Sequence, residues 1–250
     1  MSATRAPAQA VVWHDLECGR YSADLSLWAE LAERAGGAVL DVGAGTGRVA
    51  LHLAAAGHEV HALDRDAALL SELARRAEER GLRVTTTTAD ARALELPGGR
   101  FALIAAPMQT VQLLGGPPGR ERFLRATREH LAPGGRVACA LAHPLEGLEH
   151  EAGAGTAPPP DVLVTAGATF VSRPVAVREV PEGWVIERVR EVRPRDGRPT
   201  AEADSVLLDR LDASGLEREA RAAGLEPDER LRVAPTAEHV GSTVVVLRGG

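Results

Sequence analysis

The sequence predicts an α/β fold: a seven-stranded, mostly parallel sheet with helices on both faces, plus an antiparallel strand insertion after the fifth strand. Three observations carry this reading. Short apolar runs alternate with helix-period segments from Ala38 to Leu141, which is the pattern of βαβ units with right-handed crossovers. Glycines punctuate the changes from helix to strand, at Gly36-Gly37, Gly57, Gly81 and Gly134-Gly135. Between Thr165 and Leu208 the pattern switches to strand-like runs separated by Pro181-Glu182-Gly183 and Arg195-Asp196-Gly197, both hairpin-type turns.

The elements follow in order. Met1 to about Ala10 is Ala/Pro-rich and reads as a frayed end. Leu25, Trp28 and Leu31 lie at helix spacing in the segment that stops at Gly36. Ala38–Val42 is a short apolar run of buried-strand type, followed by a helix from Arg48 to Ala56. Glu59–Asp64 alternates apolar and polar as a second strand; Ala67–Arg80 carries Leu69, Leu70, Leu73 and Ala77 on one helix face. Leu82–Thr88, rich in β-branched residues, is a third strand and Phe101–Ala105 a fourth. Glu121–Leu131 reads as a helix and Arg136–Leu141 as the fifth strand. Glu146–Pro160 reads as loop. Thr169–Val171, Val175–Val180, Trp184–Val192 and Ser205–Leu208 read as an antiparallel appendage on the main sheet. Asp212 caps a helix to Ala223, and Glu229–Val233 and Thr243–Leu247 supply the last two strands. The expected divisions are residues 1–144 (an N-terminal helical segment and the ligand-binding half), 145–208 (loop and insertion) and 209–250 (return to the main sheet).

Composition excludes several classes. A net charge of -6 argues against a nucleic-acid backbone binder, which needs a basic face. All fixed positive side-chain charge is arginine, since the chain has no lysine; this reads as composition bias. The two cysteines, Cys18 and Cys139, form no CxxC motif, so neither a zinc ribbon nor a redox pair is expected, and no other metal-ligand spacing stands out. No apolar run approaches the roughly 20 residues of a membrane span, and no signal-type N-terminus is evident. A cytoplasmic chain with reduced thiols is the expectation.

The chemistry concentrates in Asp41-Val42-Gly43-Ala44-Gly45-Thr46-Gly47, between a strand and a helix. Glycines there permit positive φ and close approach of a ligand, and the following helix offers free N–H groups. A dinucleotide-type GxGxxG requires glycine where Arg48 stands. The alternative, DxGxGxG, places the Asp41 carboxylate just ahead of the glycines. That suits a cationic amino-acid ligand and would repel a pyrophosphate.

On these residues the chain resembles the class I S-adenosylmethionine-dependent methyltransferases of small-molecule type, a family with a Rossmann-like fold. The likeness covers about Tyr21 to Leu141 and, more weakly, Asp212 to Arg248. It implies S-adenosylmethionine as cofactor and S-adenosylhomocysteine as product. Asp41, Gly43, Ala44, Gly45 and Gly47 match the family's first motif; Asp64, with Arg65 beside it, matches the carboxylate that grips the ribose hydroxyls. Thr88-Ala89-Asp90-Ala91 matches the adenine-facing segment, where Asp90 accepts the exocyclic amine and the Ala91 N–H meets a ring nitrogen. The resemblance puts the segment Ala105–Gln112, with Met108, beside the methyl group, where the backbone carbonyls near Ala105 and Ala106 can accept from the cofactor's ammonium, and Tyr21 over the methionine end.

Gln109 and Gln112 are candidates to orient an acceptor. His143 follows the fifth strand, where substrate-facing residues of parallel sheets lie, and is a candidate general base; His14 is a second candidate. The sequence has no Asn/Asp-Pro-Pro-Tyr/Phe motif, which disfavours nucleic acid and protein glutamine as acceptors. The expected reaction is transfer of a methyl group to O or N of a small-molecule acceptor, with no nucleic-acid or membrane partner. The exposed strand edge makes a homodimer plausible, and Trp184 is the insertion's one tryptophan for packing, substrate or dimer contact. Non-methylating chemistry on the same cofactor, a non-catalytic cofactor-binding protein and, more distantly, an NAD-dependent oxidoreductase are the alternatives.

Overall fold

A computed structural model describes residues 5–96, 98–142, 159–236 and 239–250. The chain divides into two compact units, one of Met1–Arg20 with Pro144–Arg210 and one of Tyr21–His143 with Leu211–Gly250. The first 20 residues thus group with the insertion and not with the ligand-binding half.

The larger unit is an α/β layer structure. Its parallel strands are β1 (Val39–Val42), β2 (Val60–Asp64), β3 (Val84–Thr88), β4 (Phe101–Ala106) and β5 (Leu131–Ala142). Two further strands, β10 (Leu225–Val233) and β11 (Ser242–Gly249), complete a seven-stranded sheet of order β10-β11-β5-β4-β1-β2-β3. β11 runs antiparallel to both β5 and β10, and the other pairings are parallel. The central strands β4, β5 and β11 are largely apolar on both faces because both faces are covered, whereas the edge strands β3 and β10 are polar on one side or more. Val39, Leu103, Ala105, Val244 and Val246 pack in one core with α2 (Leu25–Ala35), α3 (Arg48–Ala55) and α4 (Ala67–Glu79). Leu40, Ile104, Val245 and Leu247 alternate with them and pack with α5 (Gly116–Glu129) and α6 (Ala213–Ala222).

Local chemistry sets the boundaries. Gly36 closes α2 in a left-handed conformation at φ 66°. The Asp66 side chain accepts from the Ala68 and Leu69 N–H groups and starts α4; Asp212 does the same for α6 through the Gly215 N–H. α5 begins at Gly116, five residues before the sequence expectation, because its two prolines fall in the first turn, where no N–H is needed.

The smaller unit holds helix α1 (Arg5–His14), a π-helical turn (Asp15–Gly19) and a four-stranded antiparallel sheet. Its strands are β6 (Asp161–Val164), β7 (Ala168–Val180), β8 (Gly183–Pro194) and β9 (Thr200–Asp209), paired in that order. The expected appendage on the main sheet is therefore a sheet of its own, with β6 as an additional strand. The expected frayed end also gives way to helix α1 from Arg5. A bulge at Pro174 to Ala176 absorbs a proline that cannot donate to the ladder. Arg190 donates to both Glu17 oxygens at 2.8 and 2.7 Å, tying the π-helical turn to β8. Among the described residues, no helix is long and apolar enough to cross a membrane.

Candidate active site

The strand order reverses between β1 and β4, and the crevice beyond such a switch point is the ligand position of open α/β sheets. The loop Gly43–Gly47 leaves β1 at this point. Its fold is held by backbone bonds from the Gly43 and Ala44 N–H groups to the Leu63 carbonyl, at 2.8 and 3.0 Å. Gly43, Gly45 and Gly47 all have positive φ, at 72°, 55° and 94°. Space is also limited: a Cβ on Gly47 would lie 2.6 Å from Leu73 Cγ, and one on Gly43 would lie 2.8 Å from Thr110 Oγ1. The glycines therefore serve both conformation and close packing.

Asp41, on β1 just before the loop, is 1% exposed, and neither carboxylate oxygen has a hydrogen-bond partner. Burial pushes its pKa up to about 7, partly offset by the positive charge of Arg48 and by the Ala50 backbone N–H, which approaches the carboxylate without completing a hydrogen bond of normal geometry. A buried carboxylate left unpaired is costly. The arrangement fits a ligand that brings a cationic donor, which is the chemistry of an amino-acid ammonium.

Asp64 closes β2 and faces the same loop. One oxygen accepts from the Gly45 N–H at 2.8 Å and the other from the Asp66 N–H at 2.9 Å. Each oxygen keeps a further lone pair for a diol. Arg65 beside it is exposed. Asp90 caps the short 3-10 turn Ala91–Ala93 by accepting from the Arg92 N–H, and the Arg92 guanidinium lies against the same carboxylate. Those hydrogen bonds hold Asp90 near a pKa of about 2, with the Arg65 charge adding to them.

The β4 end supplies the opposite wall. Ala106 is buried at the strand terminus, and Met108 has φ 54°, a non-glycine residue in the left-handed region. Thr110 Oγ1 donates to the Pro107 carbonyl at 2.8 Å while its side chain packs under Gly43. Gln109 is half-buried, and its carbonyl accepts from the Gln112 N–H. Gln112 is 5% exposed, and its Oε1 accepts from the Ala142 N–H at 2.9 Å. It fastens the end of β5 with the oxygen that the sequence reading offers to an acceptor.

Tyr21 is buried and stands between two groups that sequence reasoning missed. The Arg48 guanidinium lies 5.1 Å from its ring centroid, and the His239 ring meets it edge-on at 4.8 Å. Burial raises the phenol pKa. Arg48 also donates to the Tyr21 carbonyl at 3.0 Å and to Asp24, which in turn accepts from the Trp28 indole at 2.8 Å. The only sequence signal for Arg48 is its place directly after Gly47. His239 lies in the connection before β11, whose Ser242 pairs with Ala142, so it stands at the same strand-end rim as the glycine loop.

His143 lies outside the described residues. His14 belongs to the smaller unit, in the last turn of α1. Among the described residues no group of three or more His, Cys, Asp or Glu side chains could hold a metal ion.

Residues 39–135 match the family model described as "Methyltransferase domain". That span contains the glycine loop, Asp64 and Asp90. No curated protein matches the sequence. Among solved structures, the CcbJ methyltransferase from Streptomyces caelestis is 22% identical, with 93% of this chain and 98% of that one covered at a TM-score of 0.69. The sugar N-methyltransferase KedS8 from Streptoalloteichus is 19% identical, with 96% and 91% covered at 0.73. The S-adenosylmethionine-bound amino pentose methyltransferase CalS10 from Micromonospora echinaspora is 22% identical, with 96% and 97% covered at 0.70. Likeness at these identities establishes the shared fold.

Proposed function

We propose that this chain, an S-adenosylmethionine-dependent methyltransferase by its domain and its cofactor loop, methylates N or O of a small acceptor, with a sugar amine as the first class to test. The single observation that carries the reading is the buried, unpartnered Asp41 carboxylate at the head of a glycine loop. The acceptor class is supported by the printed descriptions of two structural neighbours, a sugar N-methyltransferase and an amino pentose methyltransferase.

When bound, the cofactor supplies an electrophilic methyl group on a sulfonium. The chain's own residues do the rest. Asp41 meets the ammonium end, and the Gly43–Gly47 backbone lets the ligand lie close. Asp64 accepts from the ribose hydroxyls, with Arg65 alongside. Asp90 and Ala91 meet the adenine. Ala106 and Met108 form the wall beside the transferred group, and Tyr21 covers the methionine end. Alignment of nucleophile, methyl and sulfur, with water excluded, supplies most of the acceleration for such a displacement. An acceptor N–H or O–H must also lose a proton. His143 is the proposed base; Gln109 orients the acceptor, since Gln112 Oε1 is taken up by the Ala142 N–H.

The test is transfer of labelled methyl from S-adenosylmethionine to a panel of amino sugars, their nucleotide-linked forms and hydroxyl-only counterparts. Label in the amino compounds supports the reading. Cofactor turnover without any methylated product would indicate non-methylating chemistry. A larger acceptor, or binding without turnover, would redirect the reading to a different substrate or a regulatory role.

A further inference from the structure

We infer that binding of the cofactor's amino-acid end expels a proton from Asp41, so that the protein takes up its cofactor in a proton-coupled step; this rests on the reading of Asp41 as the ammonium site. The geometry carries the inference. Asp41, on β1, is 1% exposed, and neither oxygen has a partner at normal hydrogen-bond geometry, the Ala50 N–H giving it only partial stabilisation. A carboxylate so placed is poorly solvated as an anion and stable as the neutral acid.

The charged groups that face it do not relieve this. Arg48, at the start of α3, is a nearby cation acting on it, and its guanidinium is committed to Asp24. Asp64 at the end of β2 and Asp24 ahead of α2 are anionic and oppose ionisation of Asp41. With burial included, half-ionisation falls at about pH 7. A bound ammonium supplies the missing cation and hydrogen-bond donors at once. The neutral acid then gives its proton to solvent, and the resulting carboxylate accepts from the ammonium. One proton leaves and one ion pair forms.

Thermodynamic linkage gives the sign. Binding that releases a proton strengthens as pH rises and levels off once Asp41 is ionised in the free protein. With the midpoint at about 7, affinity for S-adenosylhomocysteine should be about tenfold weaker at pH 6 than at pH 8. S-adenosylhomocysteine is the better probe because it carries the ammonium without the sulfonium. 5′-Methylthioadenosine shares the adenosine and lacks the amino-acid end, so its affinity should not follow this dependence.

The experiment is isothermal titration at pH 6 in buffers of different ionisation enthalpy. Release of close to one proton per S-adenosylhomocysteine bound is expected, with none for 5′-methylthioadenosine and none for Asp41→Asn. Because Asp41→Asn could lose binding altogether, an infrared difference spectrum of the wild-type chain gives a second readout. A protonated-carboxyl band should disappear on binding. Binding with no proton release and no band change overturns the inference while leaving the cofactor assignment intact. Failure of a folded sample to bind S-adenosylhomocysteine overturns both.

Discussion

Arg48 donates to both carboxylate oxygens of Asp24, and the two side chains are 9% and 3% exposed. The pair joins the start of α3 to the segment that carries Tyr21. A positive charge at a helix N-terminus is unfavourable against the helix dipole. Asp24 compensates it, and the Trp28 indole and the Tyr21 carbonyl complete the hydrogen bonding. Removing one partner leaves a buried charge. Asp24→Asn or Arg48→Ala should lower stability by about 3–5 kcal/mol, read by urea denaturation. A loss under 1 kcal/mol would mean that the pair is far more solvated than this geometry.

Asp64→Ala should weaken S-adenosylhomocysteine binding by roughly 1.5–3 kcal/mol, the range for hydrogen bonds to a charged group. The loss has two origins, since Asp64 also holds the Gly45 N–H. Unchanged affinity in titration calorimetry would remove the ribose assignment.

Gly47→Ala combines φ 94° with a Cβ 2.6 Å from Leu73 Cγ. It should cost about 1–3 kcal/mol of stability from backbone strain alone and should displace the loop enough to impair cofactor binding. Thermal denaturation and titration together check both effects. Wild-type values in each would show that the loop does not need this conformation.

Asp41 predicts an unusual pH dependence. Its folded pKa of about 7 lies above the ordinary 3.8, so the folded state holds the proton more tightly than the unfolded chain. Folding stability from this group is fully present below about pH 4. It is lost as pH rises from there to about 7, by at most on the order of 4 kcal/mol. Asp41→Asn removes that loss. The ligand-free variant should therefore be more stable than wild type at pH 8, though it binds cofactor more weakly. Equal melting temperatures at pH 8 would show that Asp41 is relieved in the free protein.

His143→Ala should slow turnover with little effect on cofactor binding, because general-base contributions run to about 10²–10⁴-fold. His239→Ala is the informative comparison, since the His239 ring packs on Tyr21 at the strand-end rim. Loss of the acid limb of the pH–kcat profile in one variant identifies the base. Retention of it in both assigns proton removal elsewhere.

Much of this architecture was legible because it is periodic. The strands β1 to β5 and helices α2 to α4 announce themselves through apolar spacing and glycine stops, and the DxGxGxG loop is contiguous. Other features depend on geometry across the fold. Nothing local marks Asp24 as the partner of Arg48, 24 positions away, or His239 as a neighbour of Tyr21. The start of α5 hides in Gly116-Pro117-Pro118, a sequence that resembles loop unless its prolines occupy the first turn. Hairpin turns reveal that β7, β8 and β9 pair with one another, but they do not reveal which sheet the strands join. Gln112 looks like a polar helix residue until its bond to the Ala142 N–H places it in the interior.

The central claim is that the Asp41–Gly47 loop binds the amino-acid and adenosine ends of S-adenosylmethionine. Isothermal titration of the purified protein with S-adenosylhomocysteine, with NADH as control, tests it most directly. The account predicts one-to-one binding at micromolar affinity or tighter for the first and no heat of binding for the second. A folded sample that binds NADH, or that leaves S-adenosylhomocysteine unbound, would contradict it.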